Sequence, residues 1–299
     1  MPRRIEARPF FVSDREELRF LPECPRVIGN SLFWVSIQYA ADQPTGGLNC
    51  LDLSTGVNVH HPLPGRPGFF AETADPGVLV IGLERRIVLY DVARAVIIET
   101  LAHVPDDERV IINDGIAIPG GLIFGTKHLQ FTLPIAALYD YDNGTHEVRE
   151  LRGGQVCSNG KYFREGSLID IDTQPKTITK YAYDGASHTL RPLRLIAAPD
   201  TLPALPDGMR PTRGGKSIVV AYYNPDPVPD GLAQEIRLSD GEVLTEWILR
   251  GSPRVTCPEI AGIDGREYIF FTTAVEGMPD ATRALAPHAG AIFRAELND

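Results

Sequence analysis

The stretch Leu138-Tyr-Asp-Tyr-Asp-Asn-Gly144 decides the fold, because this apolar strand running into an acidic turn recurs along the chain. The six starts of the pattern lie about 40 to 57 residues apart, the length of a four-stranded propeller blade. The sequence therefore predicts an all-β fold, a six-bladed β-propeller with four-stranded blades. The other copies are Cys50-Leu-Asp-Leu-Ser-Thr-Gly56, Leu89-Tyr-Asp-Val-Ala-Arg94, Tyr181-Ala-Tyr-Asp-Gly185, Ile236-Arg-Leu-Ser-Asp-Gly241 and Ile292-Phe-Arg-Ala-Glu-Leu297.

The rest of the chain agrees with an all-β fold. Short runs rich in Val, Ile, Phe and Tyr alternate with clusters of Gly, Pro, Asp and Asn, and few stretches have helical spacing. The last copy lies at the end of the sequence, which leaves its blade without an outer strand. We expect the segment 9–13 to supply that strand and close the ring, so that residues 1–299 form a single domain.

Composition limits the classes of function. The formal net charge is −10 and no basic cluster is present, which argues against a nucleic-acid partner. No run approaches the ~18 apolar residues expected of a membrane span, and no signal peptide is evident. The four cysteines form no Cys-x-x-Cys pair, so we expect reduced thiols in a cytoplasmic protein. No feature of the sequence indicates the oligomeric state.

Four polar residues share one phase of the repeat. They lie between 22 and 29 residues before the strand landmark of their own blades, where the innermost strand should begin. A polar side chain at that point should face the axis of a propeller, so the four should converge on one ring. The residues are Glu23, Asn113, Asn159 and Asp207.

Two carboxylates and two amides facing one channel suit a cation. Buried carboxylates repel one another unless they are paired, protonated or metal-bound. An all-oxygen set with two negative charges predicts one divalent cation, with Ca²⁺ first and Mg²⁺, Mn²⁺ or Zn²⁺ as alternatives. The competing interpretation is that Asn-Gly and Asp-Gly pairs are ordinary turn residues.

At these residues the sequence resembles the gluconolactonase/regucalcin family, which includes senescence marker protein and LRE-like proteins. The similarity runs from about Leu21 to Ala274 and rests on the order of short motifs around the four residues. The resemblance implies that Glu23, Asn159 and Asp207 are direct metal ligands. It also implies that Asn113 contacts the metal through water or contacts the substrate.

The sequence departs from the family pattern at positions that bind substrate. Ile111 stands where the family often has an arginine, and Lys127 follows Gly-Thr where methionine is common. Lys127 could replace the arginine as the partner of an anionic group on the substrate, and His128 could contact the substrate or carry a proton. A solvated lysine and a structural histidine are the competing interpretations. Glu259 could face the channel from the sixth blade, but a turn or rim position is expected.

The resulting hypothesis is a metal-dependent hydrolase of lactones, which are cyclic esters. The cation would polarise the carbonyl, while Asp207 and Asn113 would act as catalytic groups and the small-molecule substrate could be anionic. One alternative is a non-catalytic propeller that binds calcium or a small ligand in the same channel. The other is a protein-interaction propeller, against which stand the absent Gly-His and Trp-Asp signatures.

Overall fold

The computed structural model describes residues 1–104 and 107–297, and its regular structure is almost entirely β-strand. Two short 3₁₀ turns, Glu16–Arg19 and Pro199–Thr201, and one helix, α1 (Asp280–Leu285), interrupt the strands. The strands are β1 (Arg3–Phe11), β2 (Pro22–Ile28), β3 (Ser31–Ser36), β4 (Gly47–Asp52), β5 (Asn58–Pro62), β6 (Pro67–Glu72), β7 (Val78–Leu83), β8 (Arg86–Asp91), β9 (Val96–His103), β10 (Val110–Ile118), β11 (Gly121–His128), β12 (Ala136–Asp142), β13 (Val148–Gln155), β14 (Ser158–Arg164), β15 (Ser167–Asp172), β16 (Thr177–Asp184), β17 (Thr189–Ala197), β18 (Leu205–Pro211), β19 (Ser217–Tyr223), β20 (Gly231–Arg237), β21 (Val243–Leu249), β22 (Val255–Ile263), β23 (Arg266–Thr273) and β24 (Ile292–Glu296).

The described chain divides into two compact units. The first contains residues 1–66 and the described residues from 203 onward, and the second contains the described residues of 67–202. No helix of the described residues is long and apolar enough to cross a membrane. The prediction of an all-β fold is confirmed.

The first unit contains one four-stranded sheet and one eight-stranded sheet. The sheet of β2 to β5 is antiparallel, and the larger sheet has the order β18-β19-β20-β21-β1-β24-β23-β22. Strand β1 runs parallel to β21 and antiparallel to β24, which joins two runs of strands into one sheet. The aromatic side chains of Trp247, Phe271 and Phe293 are buried around Ala7 of β1 and form the core there.

The second unit contains three antiparallel sheets of four strands, β6 to β9, β10 to β13 and β14 to β17. Leu138, Leu168 and Tyr181 belong to one buried cluster that links the last two of these sheets. Phe69 stacks on Phe124 at a centroid distance of 6.3 Å, and Phe124 on Tyr139 at 5.5 Å. Aromatic packing therefore holds consecutive sheets of this unit together.

The strand landmarks fall where the sequence pattern puts them. All six copies begin within the third strand of a run, namely β4, β8, β12, β16, β20 and β24. Four-stranded sheets of this kind are those that build a β-propeller. The number of blades, the closure of the ring and the single domain stay predictions. The N-terminal strand is longer than the expected segment 9–13 and has a second neighbour, β21, that the repeat did not indicate.

We predict that Ile5→Pro destabilises the protein by about 1 to 3 kcal/mol, because proline removes a backbone donor from the middle of a paired strand and leaves its partner unsatisfied. Ile5 lies opposite Trp247 in the parallel ladder of β1 and β21. Val12→Pro is the matched control, since Val12 is exposed and follows the end of β1. Urea unfolding measures both, and equal midpoints for the two variants would contradict a structural role for β1.

Candidate functional site

Each of the four predicted site residues lies at a break in a hydrogen-bond ladder. The break is always in the first strand of a run of consecutive antiparallel strands, here called a first strand. The register of β2 shifts after Glu23, and that of β14 shifts after Asn159. The breaks in β10 and β18 enclose Asn113 and Asp207. Such β-bulges turn a side chain away from strict alternation. The shared phase inferred from the sequence therefore corresponds to a shared backbone feature.

The same break occurs in the first strands of the two remaining runs. In β6 it encloses Gly68, and in β22 it encloses Thr256, so these residues are the structural counterparts of the predicted four. A β-carbon at Gly68 would lie too close to the backbone carbonyls of Ile112 and Asn113. The sequence analysis missed both positions because neither has a charged or amide side chain.

In the first unit, β22 packs against the two strands that carry the predicted carboxylates. The hydroxyl of Thr256 donates to the carbonyl of Pro22 at 2.7 Å, directly before Glu23. On β18, Gly208 follows Asp207 and packs so tightly that an added β-carbon would lie 2.5 Å from the Cys257 sulfur. The carboxylate of Glu23 accepts a hydrogen bond from the backbone nitrogen of Cys24 at 3.1 Å.

In the second unit, the two predicted amides share a neighbour, Cys157. The Asn113 Nδ2 donates to the carbonyl of Ser158 at 3.1 Å and approaches the Cys157 sulfur at 3.5 Å. The Asn159 Nδ2 donates to the Thr173 hydroxyl at 3.2 Å and lies 3.8 Å from the same sulfur. The Asn159 Oδ1 accepts a hydrogen bond from the backbone nitrogen of Gly160 at 3.2 Å. An amide oxygen has two lone pairs, so it is the amide atom that can also bind a hard cation.

The chemistry of the four donors fits a divalent cation. Two carboxylates and two amides provide the oxygen ligands that Ca²⁺, Mg²⁺ and Mn²⁺ prefer. Within residues 1–104 and 107–297, no three His, Cys, Asp or Glu side chains lie together in a way that could hold a metal. The predicted set has only two such side chains, Glu23 and Asp207, and takes its other donors from Asn. The ligand set therefore stays a prediction.

Lys127 and His128 end strand β11 in the second unit, and both are buried. The Lys127 ammonium lies 5.5 Å from the centroid of the Phe131 ring. In the described part of the chain it takes part in no hydrogen bond or salt bridge, although only 7% of the residue is exposed. The backbone of Lys127 forms an isolated antiparallel β-bridge with Cys157, the residue that neighbours the side chains of Asn113 and Asn159.

His128 organises the loop that follows its strand. Its Nδ1 accepts hydrogen bonds from the backbone nitrogens of Thr132 at 3.1 Å and Leu133 at 3.2 Å. The ring proton therefore resides on Nε2, which is the nitrogen that could contact a substrate. The histidine therefore fixes the start of this loop.

A buried ion pair lies behind Asn159. The Lys161 Nζ donates to the Asn159 carbonyl at 2.8 Å and lies 3.4 Å from a carboxylate oxygen of Asp170. Gln155 and Ser158 also donate to that carboxylate, at 2.6 and 2.9 Å. Burial raises the pKa of Asp170, and the Lys161 charge opposes the rise. The network supplies a hydrogen-bond donor to the Asn159 carbonyl at the break in β14, and the charges of Lys161 and Asp170 offset each other.

The expectation of a turn or rim position for Glu259 is wrong. Glu259 lies within β22 and is buried, and it accepts a hydrogen bond from the Arg210 Nε at 2.8 Å. A nitrogen of Arg26 lies 3.8 Å away. Burial raises the pKa of Glu259 to about 7, and Arg26 opposes the rise. Sequence reasoning missed these partners because both are distant along the chain.

The comparisons with known proteins point to one family. The family model described as the SMP-30/Gluconolactonase/LRE-like region matches residues 21–275. L-arabinolactonase of Azospirillum brasilense is 25% identical over 242 residues, which are 79% of this chain and 76% of that protein. YvrE of Bacillus subtilis (strain 168), whose name assigns it provisionally to the sugar lactone lactonases, is 28% identical over 193 residues. That match spans 64% of this chain and 63% of YvrE, less than two thirds of its length.

Solved structures share the fold at low sequence identity. A protein from Agrobacterium tumefaciens strain C58, described as a calcium-binding protein, regucalcin, has a TM-score of 0.83 at 19% identity. The superposition covers 99% of this chain and 96% of that one. A gluconolactonase from Xanthomonas campestris has a TM-score of 0.69 at 15% identity, over 98% and 95% of the two chains.

We predict that His128→Leu removes the acceptor for two backbone amides and loosens the loop after β11, at a cost of about 1 to 3 kcal/mol. Hydrogen exchange of the Thr132 and Leu133 amides measures the effect, and both should lose protection. His128→Asn should retain most of it, since the Asn side-chain oxygen can reach the position of Nδ1. Full protection in the leucine variant would show that His128 does not hold the loop.

Proposed function

We propose that this chain, which belongs to the SMP-30/gluconolactonase/LRE-like family, is a metal-dependent lactonase. The observation that carries the proposal is the match of residues 21–275 to the family model. Relatives named for lactone hydrolysis support the same reaction class. The substrate is proposed to be a sugar lactone or a related cyclic ester.

The proposed metal ligands are Glu23, Asn159 and Asp207. When bound, a divalent cation would supply Lewis-acid polarisation of the lactone carbonyl. The oxygen chemistry of the donors supports Ca²⁺ as the first candidate, with Mg²⁺, Mn²⁺ or Zn²⁺ as alternatives. The description of the Agrobacterium protein as calcium-binding supports the same order of candidates.

The remaining chemistry is assigned to side chains. Asp207 accepts a proton from the water that attacks the carbonyl carbon. The bond between that carbon and the ring oxygen then breaks, and the ring oxygen takes up a proton to give a hydroxy acid. The Asn113 amide orients the substrate from its place beside Cys157, and Nε2 of His128 contributes a polar contact.

Lys127 is proposed to bind an anionic group on the substrate. Its burial without a carboxylate partner in the described structure supports this role, since a buried unpaired ammonium is costly unless a ligand supplies the opposite charge. The Phe131 ring over the ammonium restricts its movement, so the charge is held ready for a ligand.

We expect removal of divalent metal to abolish lactone opening and its restoration to recover it. Glu23→Gln and Asp207→Asn should each lower kcat/KM by about 100-fold or more, because each removes a charged ligand. Asp75→Asn, at an exposed residue of the β6–β7 turn, is the control for the loss of one negative charge. A panel of sugar lactones followed by acid release provides the measurement. If no lactone opens faster with metal than without, the proposed activity is wrong.

We predict that Lys127→Met raises KM by about 10-fold for a carboxylate-bearing lactone, which corresponds to the loss of one charge-assisted hydrogen bond. The kcat value should stay unchanged, because the contact binds ground state and transition state alike. Lys216→Met, at an exposed lysine, controls for the change in net charge. An unchanged KM in the Lys127 variant would assign that lysine no substrate role.

A further inference from the structure

Arg254 lies at the same end of the strands as the two predicted carboxylates. It directly precedes β22, and its backbone forms an isolated antiparallel β-bridge with Tyr223, the last residue of β19. Tyr223 in turn pairs with Leu205 at the start of β18, two residues before Asp207. These connections all lie within the first unit, and they put Arg254 beside the start of the strand that carries Asp207.

The charge of Arg254 has no counter-ion in the described structure. The residue is 3% exposed, and among the described residues its side chain makes one hydrogen bond, from Nη2 to the carbonyl of Gly277 at 3.2 Å. The guanidinium carbon lies 5.2 Å from the centroid of the Tyr223 ring. Nε and Nη1 are buried and have no hydrogen-bond partner within residues 1–104 and 107–297. Neither a weak carbonyl contact nor a ring face offsets the desolvation of a full charge.

Two acidic residues, Glu276 and Asp207, act electrostatically on Tyr223, the residue paired with Arg254. Burial raises the pKa of Tyr223, and the charges of Glu276 and Asp207 raise it further while Arg254 opposes them. Both carboxylates therefore act on the Tyr223 hydroxyl. The Tyr223 hydroxyl is itself engaged, since it donates to the carbonyl of Glu276 at 2.8 Å.

The one other buried cation described in the same unit, Arg210, does have a carboxylate partner. Arg210 is also buried, and its Nε lies 2.8 Å from a carboxylate oxygen of Glu259. The comparison shows that this unit can supply a buried arginine with a carboxylate. The absence of one at Arg254 therefore calls for a ligand rather than for a general tolerance of buried charge.

We propose that Arg254 anchors an anionic group, a carboxylate or a phosphate, on the lactone that this protein opens. The inference rests on the proposed lactonase function and commits it to an acidic sugar lactone rather than a neutral one, which is the class of substrate that the proposed role of Lys127 also requires. Guanidinium nitrogens bind the oxygens of both anions well. The anion would reach the two unpartnered nitrogens beside the Gly277 carbonyl.

The test compares lactones that differ in one group. D-glucaro-1,4-lactone carries a carboxylate where D-glucono-1,4-lactone carries a hydroxymethyl group, and 6-phosphoglucono-1,5-lactone with D-glucono-1,5-lactone provides the phosphate pair. The wild-type protein should favour one or both acidic lactones over their neutral partners. Arg254→Met should lower kcat/KM for the favoured acidic lactone by about 10- to 100-fold and change the neutral lactones by less than about 3-fold.

Stability separates anchoring from a structural role. Without ligand, Arg254→Met should unfold about 2 °C or more above the wild type, since it removes an unpaired buried charge. Arg237→Met, at a partly exposed arginine, controls for net charge and should leave the selectivity unchanged. A variant that is less stable and loses activity equally on acidic and neutral lactones would overturn the proposal, because that result means that Arg254 only supports the fold.

A second measurement works without turnover. Sodium D-glucarate, the open-chain dicarboxylate, should raise the melting temperature of the wild type but not that of Arg254→Met. If no lactone is opened but this Arg254-dependent shift is present, the lactonase proposal fails and the anion site stands. If lactones are opened, neutral as well as acidic, and glucarate has no Arg254-dependent effect, the anion site fails and the lactonase proposal stands. If neither effect is seen, the anion site is overturned as well.

Discussion

The broken ladder at the start of each first strand is the constraint on which the candidate site depends. An unbroken antiparallel ladder would alternate side chains strictly between two faces. A bulge releases the side chain at that point from the alternation, but it also leaves backbone groups that need other partners. The Thr256 hydroxyl donates a hydrogen bond to the Pro22 carbonyl, and the Lys161 ammonium donates one to the Asn159 carbonyl. Each predicted site residue and the bonds that support it therefore belong to the same kind of backbone irregularity.

The fold class and the phase of the site could be predicted because both are local in the chain. The landmarks mark third strands, and Glu23, Asn113, Asn159 and Asp207 precede them by nearly constant distances. The features that the sequence did not predict are those that depend on contacts between segments distant along the chain. Strand β1 meets β21 some 240 residues later, and no repeat pattern specifies that neighbour. Glu259 looked like a turn residue because its partner Arg210 is 49 residues away, and the pairing that allows its burial is not visible in either segment alone.

Buried charges in this protein fall into two groups. Lys161 with Asp170, and Arg210 with Glu259, form pairs that balance within the chain. Such pairs add little net stability, because the free-energy cost of desolvating the two charges offsets most of their attraction. Each partner nevertheless avoids being a buried charge without a counter-ion. Lys127 and Arg254 are buried to a similar degree without a carboxylate partner in the described structure. The contrast supports a functional role for both, because the first group shows that the fold can supply partners.

Retaining an unpaired buried cation lowers the stability of the ligand-free protein, which folding alone would not favour. The loss is recovered when an anionic ligand binds, because any ligand that prefers the folded state adds its binding free energy to the free energy of unfolding. A neutral lactone has no charge to pair with the buried guanidinium of Arg254, whereas an acidic lactone has one. Selectivity for an acidic substrate then follows from the desolvated state of Arg254 itself, since the arginine gains most from the ligand that carries the missing charge.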